Sequence, residues 1–233
     1  INRIKFNISE DEQSKEIIAM ISAEPETEPE TVPFSKSVMA EGPVEHWLFN
    51  IQEMMVTTLY DITKKAYLEY PKNGLERDEW LFSYPAQCVL VVDIIMWTAG
   101  CTQAILDVEQ GRNKDAIKDF LEFSKQQIGK MIDLVRGQRT IAERTMLGAL
   151  VVLDVHARDV VDKLIRDNVS SISDFEWTKQ LRYYWDKEID NCILRQTNTR
   201  FVYSYEYLGN GPRLVITPLT DKCYMTLTGA LHL

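Results

Sequence analysis

The sequence is poor in cysteine and in positive charge. Its four cysteines (Cys88, Cys101, Cys192 and Cys223) lie far apart and form no Cys-x-x-Cys pair. This spacing argues against a zinc site and indicates reduced thiols in a cytosolic compartment. Lysine and arginine number 26 against 35 aspartates and glutamates, so the formal net charge is -9. Because nucleic-acid binding depends on cations that neutralise phosphates, we expect no nucleic-acid partner.

Leader and catalytic signatures are also missing. The first residues, Ile1-Asn2-Arg3, lack the basic-then-apolar layout of a signal peptide, and without an initial methionine we expect a fragment of a longer chain. The motifs of serine hydrolases, zinc proteases, dinucleotide-binding folds and phosphate-binding loops do not occur. The sequence therefore predicts no catalytic residue and no metal site in this segment.

One long apolar run could be mistaken for a membrane span. Of the 21 residues from 86 to 106, 15 are apolar. Asp93 lies near the middle of the run, and a carboxylate at that depth in a bilayer would be costly. We therefore expect a buried helix here, and no membrane partner.

The first 40 residues are predicted to form a short strand, a short helix and an acidic loop. Polar and apolar residues alternate over residues 3–8, which is typical of a strand. Residues 9–21 indicate a short acidic helix. Residues 22–33 contain four glutamates and three prolines, so we expect a solvated connector with rapid amide exchange. A surface loop is favoured there over an acidic partner-binding motif.

Residues 41–192 show helical periodicity throughout. Apolar positions spaced by about 3.6 residues predict successive helices over residues 44–66, 76–82, 86–108, 114–136, 140–168 and 173–189. Capping-box sequences, a threonine or serine followed three residues later by glutamate, open the last two at Thr140 and Ser173. Five or six helices joined by short loops predict a helical bundle or a curved helical array.

The periodicity changes near residues 190–199, where we predict a domain boundary. Residues 193–196 and 200–207 indicate extended structure, residues 208–212 a turn and residues 213–217 a second strand. Thr220 is expected to cap a final helix through residue 231. The predicted fold is therefore mainly α, with a short β-hairpin and helix at the end. The predicted parts are residues 1–40, 41–192 and 193–233.

Residues 154–159, Asp-Val-His-Ala-Arg-Asp, gather an acid, an imidazole and a guanidinium. A general base held by an acid is one interpretation. On a helix, however, Asp154 and Arg158 are neighbours at i and i+4, while His156 points away from Asp154. We favour a helix salt bridge beside a packed histidine. Structural roles are likewise favoured for His46 and His232.

Aromatic residues 183–185 stand beside Arg182 and Lys187 and could stack on nucleic-acid bases. The predicted helix offers a simpler interpretation, in which the rings belong to its core face. We therefore favour a packing role for these residues.

Four blocks of the sequence resemble the dynein heavy chain family. Residues 80–87 read Trp-Leu-Phe-Ser-Tyr-Pro-Ala-Gln, and the acid–histidine–arginine block at 154–159 is the second. The third runs from Trp177 to Gln-Leu-Arg-Tyr-Tyr-Trp at 180–185. The fourth and most specific joins Tyr-Ser-Tyr-Glu-Tyr-Leu-Gly-Asn at 203–210 to Arg-Leu-Val-Ile-Thr-Pro-Leu-Thr-Asp at 213–221. The resemblance extends from the acidic connector onward. The residues of the four blocks are closer to those of axonemal than of cytoplasmic members of the family.

The resemblance implies the C-terminal part of the linker, the mechanical lever of the motor, running into the start of the first AAA+ module. The parent protein would be an ATP-driven, minus-end-directed microtubule motor located in the cytoplasm, cytoskeleton and ciliary or flagellar axoneme. Its cofactors would be ATP or ADP with magnesium. Its partners would be the remaining heavy chain with its AAA+ ring, microtubules, and intermediate and light chains.

The resemblance also implies a site. In the family, the segment before the final helix lines the adenine side of the first nucleotide site. The matching residues are Ile216, Thr217, Pro218, Leu219 and Thr220. The segment alone lacks the Walker A and Walker B motifs and is expected to be inactive. The alternative is a non-motor helical scaffold with an acidic docking loop, which explains the composition but not the block at residues 213–221.

Overall fold

A computed structural model describes residues 3–6, 15–22, 29–72, 74, 76–211 and 213–232. The described residues form two three-stranded antiparallel sheets and seven helices. The strands are β1 (Arg3–Phe6), β2 (Glu16–Ile21), β3 (Thr31–Met39), β4 (Arg182–Asp186), β5 (Asn191–Gln196) and β6 (Thr199–Val202). The helices are α1 (Val44–Leu68), α2 (Asp78–Leu81), α3 (Ala86–Glu109), α4 (Ala116–Arg136), α5 (Ile141–Arg166), α6 (Phe175–Thr178) and α7 (Pro218–His232). The prediction of a mainly α fold with a small β part is confirmed.

The N-terminal sheet has the strand order β1-β2-β3. The strand predicted over residues 3–8 is confirmed at residues 3–6. The helix predicted over residues 9–21 is wrong for residues 16–21, and residues 9–14 lie outside the described part. Ile17, Ala19 and Met20 are buried, and β2 pairs with strands on both sides. Pairing on both edges decides the conformation of this short apolar run, which local periodicity could not distinguish.

The predicted acidic connector is more ordered than expected where it is described. Ser22 is buried and donates its N–H to the Glu30 carbonyl at 2.9 Å, and Val32 is fully buried in β3. Pro33 pairs with Ala19 beside an irregularity in the β2–β3 register, in an edge strand that tolerates proline. These positions are therefore paired or buried and do not form a solvated loop. The rapid amide exchange expected of the connector stays a prediction, and residues 23–28 lie outside the described part.

Helix α3 is the central helix of the molecule. It contributes buried residues to all three hydrophobic clusters, among them Cys88, Val89 and Ile105. By length and composition alone, α3 could cross a membrane. However, 56% of its most apolar 18-residue stretch is buried inside the protein. The helices predicted over residues 44–66, 76–82, 86–108, 114–136 and 140–168 are confirmed as α1 to α5, with bounds that differ by a few residues.

The two predicted capping boxes had different outcomes. At the start of α5, Thr140 Oγ1 accepts the Glu143 N–H at 3.2 Å, and Glu143 Oε2 accepts the Thr140 N–H at 2.8 Å, as predicted. At the second site, Asp174 and not Ser173 caps the helix, and α6 is only four residues long. The long helix predicted over residues 173–189 is therefore wrong.

Strand β4 replaces the second half of that predicted helix. Its residues pair with β5, with Tyr183 opposite Leu194 and Trp185 opposite Cys192. Trp185 stacks on Tyr67 of α1, with the ring centroids 5.2 Å apart. The packing role predicted for these aromatic rings is confirmed, although a strand presents them and not a helix. Aromatic residues favour such a half-buried strand.

The C-terminal region is less regular than predicted. The extended residues 193–196 are confirmed within β5, but the next strand, β6, ends at Val202. The strand predicted over residues 213–217 is wrong, since these residues belong to neither sheet in the described part of the chain. Leu214 and Val215 are 70% and 63% exposed, so no neighbour in the described part of the chain covers them. A strand needs such a neighbour to pair its backbone.

Candidate functional site

A buried glutamine holds the segment that follows β6. Gln87, the second residue of α3, is only 2% exposed. Its Nε2 donates to the Tyr203 hydroxyl at 3.0 Å and to the Glu206 carbonyl at 2.7 Å. Its Oε1 accepts the Leu208 N–H at 2.8 Å. A single side-chain amide therefore satisfies three polar groups of an irregular segment that would otherwise lose hydrogen bonds on burial.

Glu30 connects the N-terminal sheet to the start of α3 and to the segment that follows β6. Its Oε1 accepts the N–H of Ala86, the first residue of α3, at 2.7 Å, and the Tyr207 hydroxyl donates to its Oε2 at 3.3 Å. Free N–H groups at a helix N-terminus favour a carboxylate. Burial raises the pKa of Glu30, and these two hydrogen bonds oppose the rise. Glu30 thus connects the β2–β3 connection, α3 and the segment after β6.

The segment also touches Ser22 and the first turn of α5. Gly209 has a φ of +73°, and a Cβ on this residue would lie 2.8 Å from the Ser22 Cβ. Both the backbone conformation and the close approach therefore favour glycine. The Asn210 Nδ2 donates to the Ala142 carbonyl at 2.8 Å. We call Ser22, Glu30, Gln87 and residues 203–210 the joint.

Tyrosines of the joint pack against one another and against α1. The rings of Tyr203 and Tyr205 meet edge to face with centroids 4.8 Å apart, and Tyr205 meets Tyr60 of α1 in the same way at 5.5 Å. The Tyr205 hydroxyl donates to Asn191 Oδ1 at 2.8 Å. Such aromatic pairs add to the stabilisation that burial gives. The predicted half-burial of residues 200–207 therefore arises from packing on α1 and β5, although strand pairing stops at Val202.

The five residues predicted to face adenine lie at the start of α7. Thr217 Oγ1 accepts the Thr220 N–H, and Thr220 Oγ1 accepts the Thr217 N–H, both at 3.3 Å. Thr217 is therefore the N-cap, and Pro218 occupies the first helical position, where its missing N–H costs nothing. The prediction that Thr220 is the N-cap is wrong by three residues, because the proline lets the helix begin earlier.

A cleft of about 770 Å³ separates the start of α7 from the second half of α5. Ile216, Thr217 and Pro218 line it, opposite polar residues that include Lys163 and Arg166. Leu219 is 71% exposed and does not line the cleft. The structure therefore brings three of the five predicted residues to one cleft and leaves the Leu219 side chain in solvent.

Asp154 does not form the salt bridge predicted for it. Its Oδ2 accepts from Arg77 Nη2 at 2.8 Å, and the same guanidinium also binds Asp93 of α3. Arg158 pairs instead with Asp159 at 2.6 Å. Arg77 and both of its partners are buried, whereas Arg158 is partly exposed. The buried guanidinium reaches Asp154 from the turn before α2, a contact that helical spacing within α5 cannot reveal.

His156 faces α7. Its Nε2 lies 3.8 Å from Asp221 Oδ1, in the first turn of that helix. Burial lowers the pKa of His156, and the nearby charge of Asp221 opposes this. Asp154 and His156 therefore face different partners, as the structural interpretation requires. The contact places α7 against α5 at the rim of the cleft.

Two family models match the chain. One, described as dynein heavy chain, N-terminal region 2, matches residues 1–66, and the other, described as the hydrolytic ATP binding site of the dynein motor region, matches residues 203–233. The chain is 43% identical over 204 residues to dynein axonemal heavy chain 2 of Homo sapiens. It is 44% identical over 225 residues to dynein axonemal heavy chain 3 and 40% identical over 221 residues to dynein axonemal heavy chain 6, both of Homo sapiens.

The chain belongs to the dynein heavy chain family. The three alignments cover 88%, 94% and 94% of this dynein segment and 5% of each relative. The predicted family and its axonemal type are confirmed. The alternative of an unrelated helical scaffold is not supported, since both ends of the segment match dynein regions.

The two matched dynein regions meet in the joint. Ser22 and Glu30 belong to the first region, and Tyr207 and Gly209 belong to the second. The Glu30–Tyr207 hydrogen bond and the Ser22–Gly209 contact therefore cross directly between them. Gln87, from the intervening helices, holds the second region at three points. The joint is the place where the dynein segment passes from its helical body to the start of the ATP-binding region.

The sequence does not reveal the contacts of Glu30 and Gln87. Glu30 stands among acidic residues and prolines, a composition that predicts a solvated connector. Gln87 belongs to the block at residues 80–87, which does not indicate that its side chain makes contacts. A usable signal was its position, since it is a single amide at the start of a long apolar run. A buried polar side chain in such a run must find partners.

Proposed function

We propose that this dynein segment is the C-terminal part of the mechanical linker and its junction to the first AAA+ module. The parent protein would be an ATP-driven, minus-end-directed microtubule motor of the ciliary or flagellar axoneme. The joint is the observation that carries this proposal. A segment tied to α3 at three points, and to the N-terminal sheet through Glu30, can transmit a displacement without a flexible tether.

We further propose a division into residues 1–40, 41–192 and 193–233, the last being the start of the AAA+ module. Within the motor, the segment's immediate partner would be the remaining heavy chain and its AAA+ ring. Microtubules and the intermediate and light chains would be contacted by other parts of the chain. The half-buried aromatic contact between Tyr67 of α1 and Trp185 of β4 would help to keep the helical body stiff under load.

Residues 216–220 are proposed to line the adenine side of the first nucleotide site. Ile216 and Pro218 present apolar surface to the cleft, and Pro218 lacks an N–H that would need a partner. Leu219, 71% exposed, is free to meet a base from the other side. These features fit the purine face of ATP or ADP. The magnesium and phosphate contacts would come from residues outside the segment, because phosphoryl transfer needs a phosphate cradle and carboxylates for the metal.

The 233-residue chain alone should show no ATP turnover above background at saturating Mg-ATP. The physical reason is that phosphoryl transfer needs a phosphate cradle, a lysine and carboxylates for Mg²⁺, and the sequence of the segment contains no phosphate-binding loop motif. A coupled phosphate-release assay on repeatedly purified protein checks this. Turnover that stays constant through successive purification steps would overturn the proposal that catalysis resides elsewhere in the motor.

Leu219→Asp should weaken nucleotide binding at the first site of a full-length dynein that carries this segment. Losing one apolar contact and placing a carboxylate near the nucleotide should cost about 1.5–3 kcal/mol, or roughly ten- to hundredfold in affinity. Titration with a fluorescent ATP analogue measures the effect. The matched control is Leu231→Asp, at a leucine of similar exposure near the other end of α7. Equal affinities for the parent and a folded Leu219→Asp motor would show that the adenine assignment is wrong.

A further inference from the structure

A second cleft, of about 550 Å³, lies between α3 and α4. Residues 70–72 and 74, which follow α1, line one end of it, and Asp154 of α5 contributes to its floor. Its walls are largely aromatic, and its floor contains two carboxylates. The lining residues used below are Tyr70, Asp93, Trp97, Phe120, Phe123 and Asp154. The proposed motor function makes no use of this cleft.

The floor of the cleft holds two carboxyl groups that share one guanidinium, so their negative charge is not fully balanced there. Asp93 and Asp154 share a single guanidinium, that of Arg77, and these three residues are 5%, 8% and 3% exposed. Two ionised carboxylates beside one guanidinium leave a net charge of about -1 in a poorly solvated place. Burial raises the pKa of Asp154 to about 7, with the neighbouring charge of Asp93 as the next cause. Burial with one guanidinium for two carboxyls therefore favours the protonated form of Asp154.

The walls suit a cation that is carried on an apolar stem. The Phe120 and Phe123 rings are nearly parallel, with centroids 6.0 Å apart, and they face the cleft together with Tyr70 and Trp97. Aromatic faces attract guanidinium and ammonium groups, most strongly when water is excluded. A compact metal ion fits less well, because it requires several converging oxygen ligands. In the described part of the chain, no three acidic, cysteine or histidine side chains converge.

Within the described residues, neither Trp97 Nε1 nor the Lys72 ammonium pairs with a carboxylate of the cleft. Trp97 Nε1 is buried and lacks an acceptor among the residues that the structure describes. Lys72, on the exposed mouth, forms no ion pair with either carboxylate in that part of the chain. A buried N–H without an acceptor is costly. A peptide segment in the cleft could supply a carbonyl to the indole as well as a cation to the floor.

We propose that this cleft binds an arginine side chain from a protein segment that packs against α3 and α4. The guanidinium lies over the Asp93–Asp154 pair and supplies the missing charge, while the methylene stem packs between the aromatic walls. Charge complementarity selects arginine over a neutral side chain. Its planar, weakly hydrated guanidinium suits a carboxylate pair and aromatic faces better than the compact ammonium of lysine does.

The test uses the 233-residue chain and N-acetyl-L-arginine amide as the probe. The indole N–H signal of Trp97 is followed by ¹H–¹⁵N NMR and identified by its loss in Trp97→Phe. We expect a saturable shift of that signal. N-acetyl-L-citrulline amide, which has nearly the same shape without the charge, should give no saturable shift. The comparison isolates charge recognition from simple filling of an apolar cleft.

Asp154→Asn should raise the half-saturating concentration of the arginine probe about tenfold or more, since the substitution removes one floor charge and preserves the shape. Asp162→Asn, at an acid of the same helix outside the cleft lining, should leave it unchanged. If Asp154→Asn does not fold, Ala99→Trp at the exposed mouth replaces it and should block the shift sterically. Equal shifts with both probes, no saturable shift with either, or unaltered binding by a folded Asp154→Asn or Ala99→Trp would each overturn the proposal.

Discussion

Arg77→Met should lower the free energy of unfolding by about 3–5 kcal/mol near neutral pH, because it leaves two buried carboxylates without the guanidinium that pairs with both. Arg77 is 3% exposed, and it binds Asp93 of α3 and Asp154 of α5 at once. Methionine retains most of the apolar stem, so the loss reports on the charge and its hydrogen bonds and not on a large cavity. Equilibrium unfolding in urea, monitored by circular dichroism, measures the change.

The loss should depend on pH. Burial raises the folded-state pKa of Asp154 to about 7 from an ordinary value of 3.8, and the Arg77 guanidinium opposes this rise. A carboxyl with a raised folded-state pKa contributes stability at low pH, and that contribution is lost as pH increases through about 4 to 7. Without Arg77 the pKa should rise further. The decrease in the free energy of unfolding caused by Arg77→Met should therefore be larger at about pH 8 than at about pH 5.

Arg112→Met is the matched control for this charge removal. Arg112 also pairs with an aspartate, Asp107, at 2.6 Å, but its side chain is 52% exposed. Exposed pairs contribute little to stability, so Arg112→Met should unfold with nearly the free energy of the parent chain. Comparable losses in the two variants, or a loss in Arg77→Met that is independent of pH, would contradict the assignment of Arg77 as the counter-ion of a buried acid pair.

The helices that the sequence predicts correctly carry their signals locally. Helix α5 begins at a capping box whose two hydrogen bonds join residues only three apart, so the pattern and the contact coincide. Helix α4 has its buried residues on one face, at Ile117, Leu121, Ile128 and Met131. In both cases a short stretch of sequence contains the information that determines the element.

The errors arise where distant pairing decides the structure. Strand β2 is a short apolar run that is stabilised by β1 and β3 on either side, and β4 is held by β5 and by Tyr67 of α1. The joint is more distant still, since Glu30 and Tyr207 are 177 positions apart. The family resemblance identified the blocks that contribute to it. It could not show which side chains meet, because that depends on the packing of three separate elements.

Gln87→Leu should release the segment at residues 203–208 while leaving the helices folded. Leucine fills a similar volume but leaves the Leu208 N–H and the Glu206 carbonyl without their partners. Each unsatisfied buried group costs about 1–3 kcal/mol. If the local opening free energy falls by about 2 kcal/mol, the Leu208 amide should exchange roughly 30-fold faster. Hydrogen exchange with residue resolution measures this in the 233-residue chain.

Gln103→Leu is the matched control, on the same helix. The Gln103 amide donates to Asp107 at 2.9 Å at an exposed position. Its loss should leave exchange at Leu208 unchanged. If Leu208 exchanges equally slowly in Gln87→Leu and in the parent, Gln87 does not hold the joint closed.

The central claim is that the joint passes motion from the ATP-binding region to the linker, and the ratio of gliding velocity to ATP turnover tests it most directly. In a full-length dynein carrying this segment, Gln87→Leu should reduce microtubule gliding velocity by a larger factor than microtubule-stimulated ATP turnover. The reason is that hydrolysis would continue while part of the displacement is lost at the loosened joint. Gln103→Leu should leave the ratio at the parent value. A Gln87→Leu motor with an unchanged ratio, in which Leu208 exchange is nevertheless accelerated, would contradict the account.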